Sequence, residues 1–109
     1  MADTYKTLAQ SNPAAATLTD AYTVPGATSV IVSTITVANR SATPTSFRIS
    51  VAIAGAADAN QQYIAYDVPI GANEAIALTL GITLAATDKV RVYATLATLS
   101  FNIFGVEKT

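Results

Sequence analysis

Seven carboxylates are the side chains in this sequence best placed to do acid–base or metal chemistry: Asp3, Asp20, Asp58, Asp67, Glu74, Asp88 and Glu107. Two would suffice for a glycoside hydrolase, provided that one element fixed both toward one bond. Asp3, Asp58, Asp88 and Glu107 fall in a terminus or turn, whereas Asp20, Asp67 and Glu74 flank strand ends, and no pair has a spacing that places both on one face. They read as turn formers and surface charges. The run Asp58-Ala59-Asn60-Gln61 offers only two of the alternating oxygens that a calcium loop needs, so an Asx-type turn is expected there. The chain has no His, which removes the commonest general base and metal ligand, and no Cys, which removes thiolate nucleophiles, disulfides and zinc or iron–sulfur sites. A serine nucleophile would have to rely on Lys, and Lys6, Lys89 and Lys108 adjoin no serine motif. No glycine-rich phosphate loop precedes a helix. Asn39-Arg40-Ser41 matches the glycosylation sequon, which matters only in a secretory pathway. No catalytic residue, cofactor or metal is expected, and the chain reads as a non-enzyme.

The remaining functional candidates are aromatic. Arg91 and Tyr93 share a strand face and Arg48 lies on another strand, but two or three cations do not build a groove for single-stranded nucleic acid. Six basic and seven acidic residues give a net charge of −1, with nothing to draw the chain to phosphate backbones or anionic lipid. Tyr5, Tyr63, Tyr66, Tyr93 and Phe104 are instead expected at an interface, where aromatic residues concentrate, together with the apolar Leu8. Strict alternation sends Tyr63 and Tyr66 to opposite faces of their strand.

These residues must be positioned by strands, because the dominant period is two. Phe47, Ile49, Val51 and Ile53 alternate with Arg48, Ser50, Ala52 and Ala54. Ile31, Ser33, Ile35 and Val37 alternate with Val30, Val32, Thr34 and Thr36, a run apolar on both faces at its start. Ile76, Leu78 and Leu80 form one face of a further segment. Val90 and Val92 oppose Arg91 and Tyr93, and Leu99, Phe101 and Ile103 oppose Ser100, Asn102 and Phe104. Weaker segments near residues 5–8, 17–24 and 62–68 bring the total to about eight strands. Turn signals separate them at Pro25-Gly26, 39–44, 55–60, 69–73, Gly81 and 86–88. Asn12 through Ala16 makes either one helical turn or a loop. Tyr22-Thr23-Val24-Pro25 echoes Tyr66-Asp67-Val68-Pro69; Val-Pro plus a nearby Gly is read as a strand terminator, with matched corners between two sheet halves as the alternative.

The expected fold is therefore all-β: a single antiparallel β-sandwich over residues 1–109, jelly-roll-like. Residues 1–10 are either an N-terminal arm that adds a strand to a neighbour's sheet or the first strand of the chain's own sandwich. No apolar run reaches the roughly 18 residues of a spanning helix, and Met1 through Lys6 lacks a signal-peptide pattern, so no membrane is expected. Apolar residues make up 51% and charged residues 12%, the latter about half the usual share. So few charges leave a lone small domain poorly solvated, and other chains are expected to cover part of it.

Several segments carry a family resemblance: Ser11-Asn12-Pro13-Ala14-Ala15, Leu18-Thr19-Asp20-Ala21-Tyr22-Thr23-Val24-Pro25, Val37-Ala38-Asn39-Arg40-Ser41-Ala42-Thr43 and Phe47-Arg48-Ile49-Ser50-Val51. Tyr66-Asp67-Val68-Pro69-Ile70, Leu80-Gly81-Ile82-Thr83-Leu84 and the run Leu99 through Glu107 extend it. The chain resembles small β-rich virion structural proteins of tailed bacteriophages and prophages. The resemblance implies a location in the virion, after synthesis in the bacterial cytoplasm, and carries over no catalytic residue. The expected function is a capsid decoration, or cement, protein: a homo-oligomer bound to the major capsid protein or another virion protein. The alternatives are a tail, neck or fibre-attachment component, and a carbohydrate- or host-surface-binding module.

Overall fold

Alternating side chains become two antiparallel sheets packed face to face in the computed structural model, which describes residues 2–109. One sheet runs in the order β1 (Asp3–Ser11), β9 (Leu99–Lys108), β3 (Ser29–Asn39), β6 (Ala75–Leu78), with β7 (Ile82–Leu84) also pairing with β3. The other runs β2 (Thr19–Thr23), β8 (Lys89–Ala94), β4 (Thr45–Ala52), β5 (Tyr63–Ile70). Strands β6 and β7 pair with successive stretches of β3 and are two pieces of one edge, broken where Gly81 takes φ +64°. Counted as one, they leave eight strands in the order of a jelly roll. The expected all-β sandwich is the fold observed. Both Val-Pro segments lie where the chain leaves the second sheet for the first, after β2 and at the end of β5. Matched corners, the less favoured of the two readings, therefore describe their placement.

The core lies between the sheets. Val30, Val32, Ile35, Val37, Phe101 and Ile103 of the first sheet meet Phe47, Ile49, Ile70, Val90 and Val92 of the second, all essentially sealed from solvent. Phe47 and Phe101 pack edge to face, with centroids 6.0 Å apart. Each such side chain contributes about 1.5–3 kcal/mol by leaving water, so period-two burial alone explains why this sequence folds as a sandwich.

Residues 3–11 form a strand of the chain's own first sheet, paired with β9. Two expectations need correction. In β3 the buried set begins as Val30 and Val32 and continues as Ile35 and Val37, leaving Ile31 exposed, because a bulge between Val32 and Thr34 changes the phase. In β4, Phe47 and Ile49 are buried as expected, but Ile53 is 76% exposed. The chain leaves the sheet there through a 3-10 turn (Ile53–Gly55), and the following segment folds back over Ser50 and Ala52, both fully buried. Of the two readings of residues 12–16 the loop is the one observed: Ala15 bridges Ala94, and Asn12 donates to the carbonyls of Ala97 and Leu99.

Candidate functional site

The outward face of the β2-β8-β4-β5 sheet gathers three of the aromatic candidates around one cation. Arg48 on β4 stands opposite Tyr93 on β8 in register, and its guanidinium lies 4.5 Å from the Tyr93 ring centroid and 4.1 Å from that of Tyr66. Its Nε and Nη2 donate to the two carboxylate oxygens of Asp67 at 2.7 and 3.3 Å. The Asp67 carboxylate holds the guanidinium pKa above its ordinary value, and the paired hydrogen bonds fix the direction of the cation. Cation–π contact of this kind orders the rings as well as the charge.

Tyr63 and Tyr66 do not point to opposite faces. Their rings meet edge to face, with centroids 5.1 Å apart. The pairing of β5 with β4 slips between Val68 and Ala65 and again between Ala65 and Tyr63, and the second slip brings this about by adding one residue between the two tyrosines. Asp67 adopts φ 50° in the first bulge, a left-handed geometry that Asp tolerates better than most residues. Burial pushes the Tyr63 phenol up, and the neighbouring Asp58 carboxylate adds to the shift. The Asp58 loop itself is closed by Gln62, whose side-chain amide donates to the carbonyl of Ala57 and whose carbonyl accepts from Ala59 N–H.

Beside this cluster, Asp20 accepts from Lys89 Nζ at 2.8 Å and Arg91 Nε at 2.9 Å. Lys89 first and then Arg91 hold its carboxyl below the ordinary range. Arg91 also donates to the carbonyls of Ala56 and Gly55, clamping the folded-back segment to the sheet. Each of these five charges thus has an ion-pair partner on the same face.

Tyr5 and Phe104 lie on the opposite side of the sandwich. Tyr5, Val106 and Ile31 form one cross-strand row on the outward face of the first sheet, and Thr7, Phe104 and Thr34 form the next. From there to the row Gln10, Asn102 and Thr36, the three strands β1, β9 and β3 put no charged side chain outward. The ion pair Lys108–Asp3 closes one end at 3.4 Å. Leu8 belongs to neither face. It is buried in the core cluster, because alternation from the outward Tyr5 and Thr7 sends it inward; the bulge between Thr7 and Ala9 then turns Ala9 inward beside it.

Sequence reasoning overlooked two polar staples. Asn39 is 3% exposed; its amide donates to the carbonyls of Thr43 and Gly71, and its carbonyl accepts from Ser41 N–H and the Thr98 hydroxyl. The sequon asparagine is therefore consumed by the fold. Glu107 accepts from the Tyr22 hydroxyl across the two sheets at 2.5 Å and pairs with Lys6 at 3.1 Å. Tyr22 and then Lys6 hold the Glu107 carboxyl below its ordinary value, while burial and Glu107 push the Tyr22 phenol well up. Only the pairing of β1 with β9 and the packing of β2 across from them make Tyr22, Lys6 and Glu107 partners, so no local motif announces them.

Among the described residues, no three of the carboxylates converge as a metal-binding group. No helix is long and apolar enough to cross a membrane. No protein-family model matches the chain, and no curated protein matches it at a significant level.

Proposed function

We propose that the chain is a non-enzymatic virion structural protein of a tailed phage, a capsid decoration protein that binds the assembled head. The observation that carries this reading is the asymmetry of the two sheet faces. One holds five charges in closed ion pairs with an ordered aromatic cluster. The other is uncharged across three strands and exposes Tyr5 and Ile31. An interface core is depleted of charge and enriched in aromatic residues, so the uncharged face is the one that other subunits cover. A protein that binds only the assembled shell stabilises that shell by mass action, and many symmetry copies multiply a modest contact energy. The resemblance noted from the sequence supports the same reading.

The test is the position of the protein in particles of the phage or prophage that encodes it. Hundreds of copies on the icosahedral lattice are expected. A few to some tens of copies on the tail axis would instead establish the tail or neck component.

A second reading rests on Tyr66, which is 57% exposed with its ring oriented by Arg48 and Tyr63. An ordered aromatic beside a carboxylate is a platform for a sugar ring. On this reading the free protein binds a glycan saturably in an array screen, and Tyr66→Ala abolishes the binding.

A further inference from the structure

We propose that the free edge of β1 pairs antiparallel with β1 of a second copy about a two-fold axis at Tyr5, joining two sandwiches into one continuous sheet. The hydrogen-bond phase of the strand fixes this geometry. Ala2 and Thr109 exchange both backbone hydrogen bonds, and the register runs without slippage from Asp3–Lys108 to Thr7–Phe104. In an antiparallel ladder such pairs alternate. Thr4 and Lys6 therefore bond to β9, whereas the N–H and C=O groups of Asp3, Tyr5 and Thr7 point away from the sheet. All five residues from Asp3 to Thr7 are exposed, so among the described residues nothing covers that edge.

The other sheet edges carry the devices that prevent such pairing. Strand β5 has Pro69 and two bulges, β2 is five residues long with a bulge, and β6 and β7 are short and separated by a break. In β1 the bulge lies beyond Thr7. Its one lysine, Lys6, is turned to Glu107 and does not guard the edge.

The occupant follows from self-complementarity. With the axis at Tyr5, Tyr5 faces Tyr5 of the second copy, and Asp3 faces Thr7. Every outward-pointing backbone group from Asp3 to Thr7 then finds a partner, giving two hydrogen bonds at each of three residue pairs. Thr4 faces Lys6, so no like charges meet. Shifting the axis to Thr4 leaves Thr7 without a partner among these residues. An axis perpendicular to the sheet also keeps both uncharged faces on one side, doubling the surface offered to a lattice. The pairing deepens the proposed function by naming a self-partner, but its test uses the free protein. A monomer in solution therefore overturns the pairing and leaves lattice binding to be judged from particles.

Light scattering after size exclusion should give about twice the 11.2 kDa chain mass. Tyr5→Pro removes an outward N–H at the centre of the edge without touching a bond to β9, and it should weaken association at least tenfold with an unchanged circular-dichroism spectrum. Because the chain has no cysteine, Tyr5→Cys supplies a second readout that does not depend on a proline being accommodated. Facing residues in a hydrogen-bonded pair sit about 5.5 Å apart at Cα, within disulfide range, so mild oxidation should yield a covalent dimer, whereas Thr36→Cys on the uncharged face should not. A monomeric wild type overturns the proposal, and so does a dimer that crosslinks through position 36 and not position 5.

Discussion

Gly105 lies directly beneath the carbonyl of Ile31, so closely that a β-carbon on Gly105 would stand inside van der Waals contact of that oxygen. The approach is made by the bulge between Val32 and Thr34, which draws β3 against β9 and reverses the phase of the strand. Gly105→Ala must push the two central strands apart. The expected cost is about 3 kcal/mol, which for a domain of this size lowers the melting temperature by more than roughly 12 °C. A variant that melts within 2 °C of wild type would show that the bulge yields freely.

Glu107 ties the two sheets through Tyr22 and Lys6, and its carboxyl is held below its ordinary value. Stability from such a group is present above the unfolded pKa, about 4.3, and is lost as pH falls through the lower folded value. Glu107→Gln should therefore cost about 1–2 kcal/mol at pH 7, with the two proteins converging in acid. The raised Tyr22 phenol acts at the other end of the scale: its contribution is intact below about pH 10 and declines above it. Urea midpoints from pH 2 to pH 11 for wild type, Glu107→Gln and Tyr22→Phe test both signs. A Glu107→Gln deficit that persists unchanged at pH 2 contradicts the assignment.

Ser50 is fully buried beneath the folded-back segment, and its hydroxyl oxygen has no hydrogen-bond partner among the described residues. An unpaired buried hydroxyl destabilises the fold relative to a methyl group. Ser50→Ala should raise stability by up to about 1 kcal/mol, read as a higher urea midpoint at constant slope. A loss of that size would mean that the hydroxyl is satisfied in solution.

The uncharged face supplies the functional prediction. Thr36→Lys puts a charge in its middle at a partly exposed strand position, where a surface change alters folding stability by less than about 0.5 kcal/mol. Copy number on purified particles should nevertheless fall at least tenfold. Tyr66→Ala on the opposite face should leave occupancy unchanged. Equal loss from both variants, or from neither, removes the uncharged face as the lattice contact.

The sandwich was legible in the sequence because burial in a sheet repeats every second residue. Val90 and Val92 against Arg91 and Tyr93, and Leu99, Phe101 and Ile103 against Ser100 and Asn102, took the faces that their alternation demands. The expectations that failed did so at points where alternation stops. Ile31 and Tyr63 changed faces at bulges, and Ile53 left the sheet altogether. A bulge adds one residue to one strand for reasons that lie on its partner, and a one-residue slip inverts every side chain beyond it.

The chain by itself determined its class and its chemical poverty: strands from the period, turns from Pro, Gly and Asn, and an absence of imidazole and thiol that composition states outright. Tertiary structure decided which residues act together. A bulge set Tyr63 beside Tyr66 around Arg48, strand pairing and sheet packing brought Tyr22, Lys6 and Glu107 into one contact, and the segregation of the charges left one sheet face bare. Periodicity is a local consequence of the pleat. Adjacency between strands tens of residues apart depends on register, and register is fixed only when the whole sheet closes.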